Sequence, residues 1–195
     1  MEPRKWETIV AEAARAFSRF GFRKASVDDI ARAAGVAKGT VYLGCASKLD
    51  LFYQAILRDL RLFNAEIMKL IDPRAPADEL LARVANEAFA TLERFPLARD
   101  LITNVYAADL PDFVDRLDEL RAHGLSTVLE ILRVGVRQGR FRADLDLEAV
   151  AGVFLDLMTS TMMFHAHGPD APARLMRHAA AVLDVVLKGI APRPE

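Results

Sequence analysis

Six residues between positions 26 and 48 carry groups that suit them to binding a polyanion. They supply two hydroxyls, two ammonium groups, a phenol and one position without a Cβ, where a backbone could approach closely. The six are Ser26, Lys38, Gly39, Thr40, Tyr42 and Lys48. Groups of these kinds bind phosphate oxygens and base edges when an α-helix presents them to a DNA groove.

Two short helices joined by a glycine turn are predicted to position these groups. Ser26, followed three residues later by Asp29, is a helix start signal. Gly35 supplies the left-handed conformation that closes the first helix. The second helix is predicted to run from about Lys38 to about Leu43, with its polar residues on the exposed early turns. This pattern is typical of a helix-turn-helix whose second helix enters the major groove.

The next helix also has a start signal, and it adds one more cation. Ser47 and Asp50 repeat the S-x-x-D pattern. Lys48 is therefore predicted in the first turn of that helix, where its charge and the free N–H groups can hold a phosphate together.

Charge is unevenly distributed along the chain, although the net charge is only −1. Residues 1–48 contain nine Lys and Arg residues against five acids, a net of +4, which leaves −5 for residues 49–195. A basic N-terminal part on an acidic remainder is typical of a DNA-contacting module joined to a domain with another task. Ordinary solvated surface charge is the alternative explanation.

Several short segments of the first third recur at the spacing of a known family. They are Phe17, Phe20-Gly21-Phe22, Ser26-Val27-x-Asp29-Ile30-Ala31, Ala34-Gly35-Val36, Lys38-Gly39-Thr40-Val41-Tyr42, Ser47-Lys48 and Leu51-Phe52. On these matches, residues 6–57 resemble the DNA-binding domain of the TetR family of bacterial regulators. The resemblance implies a homodimer whose C-terminal domain encloses a pocket for a small effector.

The chain departs from the family pattern directly after Tyr42. The family usually continues with a second aromatic residue, a His that commonly contacts phosphate and a core Phe, whereas this chain has Leu43, Gly44 and Cys45. One phosphate contact is therefore missing. Cys45 is predicted to be a small buried hydrophobic residue, with a redox switch at the DNA contact as the alternative.

Helical periodicity without strand alternation predicts an all-α fold of about nine helices. An N-terminal three-helix domain (1–48) should bind DNA, and a helical domain (49–195) should bind the effector and dimerise. Helices are predicted over residues 4–20, 26–34, 38–43, 49–71, 77–94, 97–108, 112–138, 147–167 and 171–188. Asp144 or Asp146 can cap the eighth, and Gly139 should close the seventh.

The two last helices are apolar on more than one face. Asp156 is the only residue between Ala149 and His167 that is charged at neutral pH. Its carboxylate, together with small and hydroxyl residues nearby, argues against a membrane span. We therefore predict that helices 147–167 and 171–188 bury a second face in a four-helix homodimer interface. A monomer with two central core helices is the alternative.

A ligand pocket is predicted in the body of the C-terminal domain, with a largely apolar lining that suits an apolar effector. Ordinary core packing is the alternative explanation for each lining residue. His165 and His167 do not suggest a metal site, because residues two apart on a helix point to nearly opposite sides. The candidate lining residues are Phe89, Asn104, Tyr106, Phe154, Met158, Thr161, Met162 and His165.

Other classes of function find little support in the sequence. There is no phosphate loop, nucleophile elbow or HExxH motif, so neither catalytic residues nor a cofactor or metal is predicted. One Cys and an N-terminus without an apolar signal indicate the reducing cytoplasm. The sequence thus predicts a ligand-responsive repressor that binds double-stranded DNA at a palindromic operator. Its rival is a helical dimer that binds ligands or partners and has lost DNA binding through residues 43–45.

Overall fold

A computed structural model of the chain describes residues 2–102, 117–165 and 170–192. These ranges contain nine α-helices and no strand, which confirms the all-α prediction. We call α1–α3 the head, α4 the connector helix and α5–α9 the body. The helices are α1 (Pro3–Lys24), α2 (Val27–Ala33), α3 (Lys38–Val41), α4 (Lys48–Met68), α5 (Ala77–Leu92), α6 (Pro96–Ile102), α7 (Leu117–Arg137), α8 (Leu147–His165) and α9 (Ala171–Ile190).

Three aromatic rings hold α1 against the connector helix. The Phe52 ring lies edge-on to Phe17, with centroids 4.9 Å apart, and 5.1 Å from the ring of Phe22. Phe22 can turn back toward this cluster because Gly21 interrupts α1 with a φ of 73°, a conformation that costs glycine little. The cluster fixes the start of the connector helix on the head.

Two hydrophobic clusters share the connector helix. The first fills the head and continues through α4 into α6 and Met162 of α8. The second lies among α5, α7, α8 and α9. Phe63 on the connector helix and Phe89 on α5 pack against both clusters. A displacement of the connector helix is therefore transmitted directly to the head.

The loop between the connector helix and α5 is held by one amide side chain at the end of α7. Gln138 donates to the carbonyls of Pro73 and Ala75, and its Oε1 accepts from the N–H of Ala77 at 3.0 Å. Gly139, with a φ of 68°, ends α7 as predicted. The Gln138 side chain thus pairs three backbone groups of this loop and of the start of α5 that would otherwise lack a partner within the described protein.

Several helix ends differ from the predicted ones. α1 continues past Phe20 to Lys24 across the break at Gly21. The connector helix stops at Met68 rather than near Ile71, because the last residues form tighter i→i+3 hydrogen bonds. α3 ends at Val41, two residues early, for the same reason. The predicted extensions over residues 103–116 and 166–167 lie outside the described ranges.

Candidate functional site

The turn between α2 and α3 has the geometry that the sequence predicts. Ser26 caps α2, with its Oγ accepting from the N–H of Asp28 at 3.2 Å. Gly35 has a φ of 67°. Its N–H donates to the carbonyl of Arg32, and the N–H of Val36 donates to the carbonyl of Ala31 at 2.9 Å. This pair of bonds is a Schellman motif. It sets the direction in which α3 leaves the turn.

α3 presents its predicted contact residues to solvent while one residue anchors it. Val41 is 0% exposed and belongs to the first cluster. On the other sides Lys38, Gly39 and Tyr42 are exposed, and Thr40 is half-buried. A Cβ built on Gly39 meets no atom within 4 Å. Nothing within the described protein therefore requires glycine at that position.

Lys38 has a partner that sequence reasoning missed. Its Nζ donates to Oδ2 of Asp28 at 2.8 Å, across the turn from α2. This hydrogen bond and the charge of Asp28 raise the pKa of Lys38. Ten residues separate the pair, and no helical spacing signals the contact. Because an ammonium group has three donors, a phosphate bound by Lys38 would share that group with the Asp28 carboxylate.

Lys48 is less free than the sequence suggests. Its Nζ donates to the carbonyl of Arg23 at 3.1 Å and lies 4.9 Å from the centre of the Phe22 ring. An ammonium group has three donors, so donors remain for a phosphate. Ser47 caps the connector helix as predicted, accepting from the N–H of Asp50 at 3.1 Å. Lys48 therefore lies in the first turn of a capped helix, and its ammonium group contacts α1 of the head.

Cys45 occupies the core, as predicted. It is 5% exposed, and its Sγ lies 3.4 Å from the carbonyl oxygen of Val41. Burial raises the pKa of the thiol, which keeps it protonated and unreactive at neutral pH. The residue fills space at the end of α3.

The candidate pocket residues that the structure describes are divided between the two clusters. Phe154 and Met158 are 4% and 9% exposed in the second cluster, and Met162 is 4% exposed in the first. Phe89 is half-buried and packs against both. Thr161 is 8% exposed and donates to the carbonyl of Leu157 at 2.8 Å. Asn104, Tyr106 and the side chain of His165 lie outside the described residues.

The outward faces of α8 and α9 carry large apolar side chains. On α8, Val153 is 57% and Phe164 is 72% exposed, with Leu157 between them. On α9, Met176 and Val185 are 49% and 67% exposed. By length and composition alone, Leu147–Phe164 could cross a membrane, with a mean hydropathy of 1.4, and 28% of this segment is buried.

A buried acid joins the connector helix to the body, and sequence reasoning missed it too. Asp59 is 5% exposed, and its Oδ2 accepts from the N–H of Leu97 in α6 at 3.3 Å. Burial raises the pKa of this carboxyl, although the Leu97 hydrogen bond and the charge of Arg58 oppose the shift. Asp59 thus ties the helix that carries the head to the first turn of α6.

Comparisons with known proteins agree with this arrangement. The model of a family described as bacterial regulatory proteins, tetR family, matches residues 9–55. The HTH-type transcriptional repressor BepR of Brucella suis is 28% identical over 191 residues, covering 94% of this chain and 90% of that protein. The fatty acid metabolism regulator protein of Bacillus subtilis is 25% identical over 191 residues, covering 95% of each.

Solved structures share the fold over nearly the whole length. A TetR-family transcriptional regulator from Pectobacterium atrosepticum has a TM-score of 0.75 at 21% identity, covering 100% of both chains. FadR of Bacillus subtilis, in complex with stearoyl-CoA, has a TM-score of 0.74 at 22% identity, covering 95% of this chain and 99% of that one. The helix-turn-helix region thus matches the tetR family model, and over nearly its full length the chain is similar to transcriptional repressors and shares the fold of TetR-family regulators.

Proposed function

We propose that this regulator is a cytoplasmic repressor that binds a palindromic operator as a homodimer and leaves it when a small, largely apolar ligand binds the body. Residues 1–48 contact DNA, and residues 49–195 dimerise and bind the ligand. One observation carries the proposal. The polar side of α3 faces solvent while Val41 locks the opposite side into the core.

The contacts expected on DNA follow from that exposure. Lys38, Tyr42 and Lys48 reach phosphate oxygens, and Thr40 offers a hydroxyl and a methyl to a base edge. The Ser26 hydroxyl can donate its hydrogen to a phosphate while its oxygen still accepts from Asp28. Each subunit then neutralises several phosphates, so affinity falls steeply as salt rises.

A second copy of the chain is the proposed cover for the exposed faces of α8 and α9. Asp156 is exposed on α8, and lipid would penalise its carboxylate more heavily than the hydrated rim of a protein interface would. In this dimer, two helices from each subunit form a four-helix interface that buries the exposed apolar side chains. The twofold axis then places two α3 helices about 34 Å apart, or a near multiple, on one face of DNA.

An apolar ligand suits the region where the two clusters meet. Phe89, Phe154, Met158, Thr161 and Met162 combine adaptable apolar surface with one hydroxyl. The similar FadR structure contains stearoyl-CoA, which favours a ligand with a long acyl chain here as well. A ligand that separates α8 from the connector helix would favour a state in which the heads are spaced differently. It can shift the equilibrium between the two states only by as much as its affinities for them differ.

DNA binding is tested by fluorescence anisotropy with the promoter region next to the chain's own gene, in KCl from roughly 50 to 200 mM. We expect a dimer to bind with a negative salt slope and to prefer the promoter over unrelated DNA. Thr40→Ala should weaken binding. The matched control is Thr8→Ala, which removes an exposed hydroxyl on α1 that bonds to the carbonyl of Arg4 and should leave binding unchanged.

The rival function gives a different result in the same experiment. A dimer that forms no complex with the promoter even at low salt contradicts the repressor and favours a helical binding protein without DNA affinity. Ligand response is then tested by thermal unfolding with acyl-CoA thioesters and fatty acids of increasing chain length, because a ligand of the native state raises Tm. We expect the ligand that raises Tm most to release the operator.

A further inference from the structure

Leu43 is the most exposed of the large apolar side chains in the described ranges, at 77%. It directly follows Tyr42, the last of the predicted DNA contacts on α3. A single exposed leucine is ordinary on a protein surface. Its position relative to the rest of α3 makes this one different.

Leu43 lies on the side of α3 that faces away from the protein. It follows the buried Val41, the last residue of α3, by two positions. The chain turns tightly there, because the N–H of Leu43 bonds to the carbonyl of Thr40 and that of Gly44 to the carbonyl of Val41. Its 77% exposure places Leu43 on the outer side of this turn.

Gly39 lies four residues earlier, in α3. It has no side chain, and no atom of the described protein, the Leu43 side chain included, lies within 4 Å of the place where its Cβ would stand. Thr40 and Tyr42, each with a hydroxyl group, come between these two positions. The result is one apolar side chain surrounded by hydrogen-bonding groups.

The chemistry of the side chain limits what it can recognise. Leucine can neither donate nor accept a hydrogen bond, and it gains nothing from a phosphate. In the major groove, the C5 methyl group of thymine is the apolar feature among the donors and acceptors of the base edges. On the basis of the proposed operator binding, we propose that Leu43 is a specificity-determining residue that contacts the 5-methyl group of one thymine in each half-site.

The test uses the operator that the wild-type protein selects from a random DNA pool. Each thymine is replaced in turn by deoxyuridine, which removes only the methyl group and leaves every hydrogen bond in place. Wild-type affinity should fall about fourfold per half-site at one thymine position, the equivalent of about 0.8 kcal/mol for one buried carbon. Leu43→Ala should bind the unmodified operator more weakly and show no further loss on that replacement.

Two controls separate this contact from effects on folding. Leu43→Ala should keep the wild-type melting temperature, because the side chain packs on little. Leu62→Ala truncates another leucine, 38% exposed on the connector helix, and should leave both affinity and deoxyuridine sensitivity unchanged.

The outcomes distinguish the two levels of the proposal. If Leu43→Ala retains the wild-type loss at every thymine, or binds the unmodified operator as tightly as wild type, Leu43 does not contact a methyl group and the inference is overturned. If the wild-type protein selects no operator at all, the proposed function fails as well. A loss at one position that disappears in Leu43→Ala supports both.

Discussion

At the scale of single residues, an ion pair between Lys38 and Asp28 lies on the proposed DNA-contact face. Both side chains are about half exposed, at 51% and 55%, and their atoms are 2.8 Å apart. Water and salt screen such a pair, so it adds little to stability. Near a phosphate, however, the Asp28 carboxylate both occupies the lysine and repels the DNA. In the proposed complex, the pair should therefore oppose operator binding more than it stabilises the fold.

Asp28→Asn should raise operator affinity severalfold at low salt, because it releases Lys38 and removes a negative charge from the contact face. The gain should shrink as salt screens the charges. Anisotropy titrations at low and high KCl measure both effects. Asp29→Asn is the matched control, since Asp29 pairs with Arg32 at 3.1 Å and not with Lys38. An equal gain in the two variants would show that only the net charge matters.

Gly39→Ala should change stability and DNA affinity in opposite directions. The added methyl meets open space within the protein, and alanine favours a helix over glycine by about 0.5–1 kcal/mol. On DNA the same methyl occupies the space that a phosphate or sugar must approach, and we expect roughly tenfold weaker binding, the cost of about one lost contact. Urea unfolding and anisotropy measure the two quantities. Unchanged operator affinity would contradict the proposed position of α3 in the major groove.

Among the elements, the junction between the connector helix and α6 depends on ionisation. Asp59 is buried and its pKa is raised, so the folded state holds its proton more tightly than the unfolded state does. The ionised carboxylate therefore opposes folding at neutral pH. This penalty fades as pH falls through the folded pKa and is absent below the ordinary carboxyl pKa.

Asp59→Asn should stabilise the protein at pH 7, because the amide oxygen still accepts from Leu97 while the charge is gone. The difference between the variant and wild type should shrink as pH is lowered toward about 4. Urea unfolding at several pH values measures it. Asp59→Ala is the comparison, and leaving the Leu97 N–H unpaired should cost about 1–3 kcal/mol. A pH-independent gain for the Asn variant would contradict the role of ionisation.

How far the sequence predicts these elements depends on how local their signals are. The caps at Ser26 and Ser47 and the closing glycine at Gly35 act within a few residues, and each was predictable from its neighbours. Asp59 bonds to Leu97 across 38 residues, and Lys48 to Arg23 across 25. Such contacts depend on how helices pack, and no short pattern contains that information. The local rules therefore predicted the helix caps and the turn before α3, but not the contacts that restrain Lys38 and Lys48.

For the whole molecule, the spacing of the two heads depends on the proposed interface between copies of α8 and α9. Exposed apolar residues on both helices leave a face that water hydrates poorly. In the proposed complex one subunit contacts one half-site, so a monomer should lose the affinity gained from the second half-site. Dimerisation and operator binding should therefore weaken together.

Val153→Glu places a carboxylate at the centre of that proposed interface, where burial without a partner costs about 2 kcal/mol or more. Since the side chain is 57% exposed in the subunit, the subunit should fold normally. The dissociation constant of the dimer should be at least tenfold higher than that of the wild type. Sedimentation velocity measures the dissociation, and anisotropy on full and half operators measures the coupled loss. Leu62→Glu places the same charge on an exposed leucine of the connector helix and should leave the dimer intact. A Val153→Glu protein that remains a dimer and binds the full operator as wild type does would move the interface to another face.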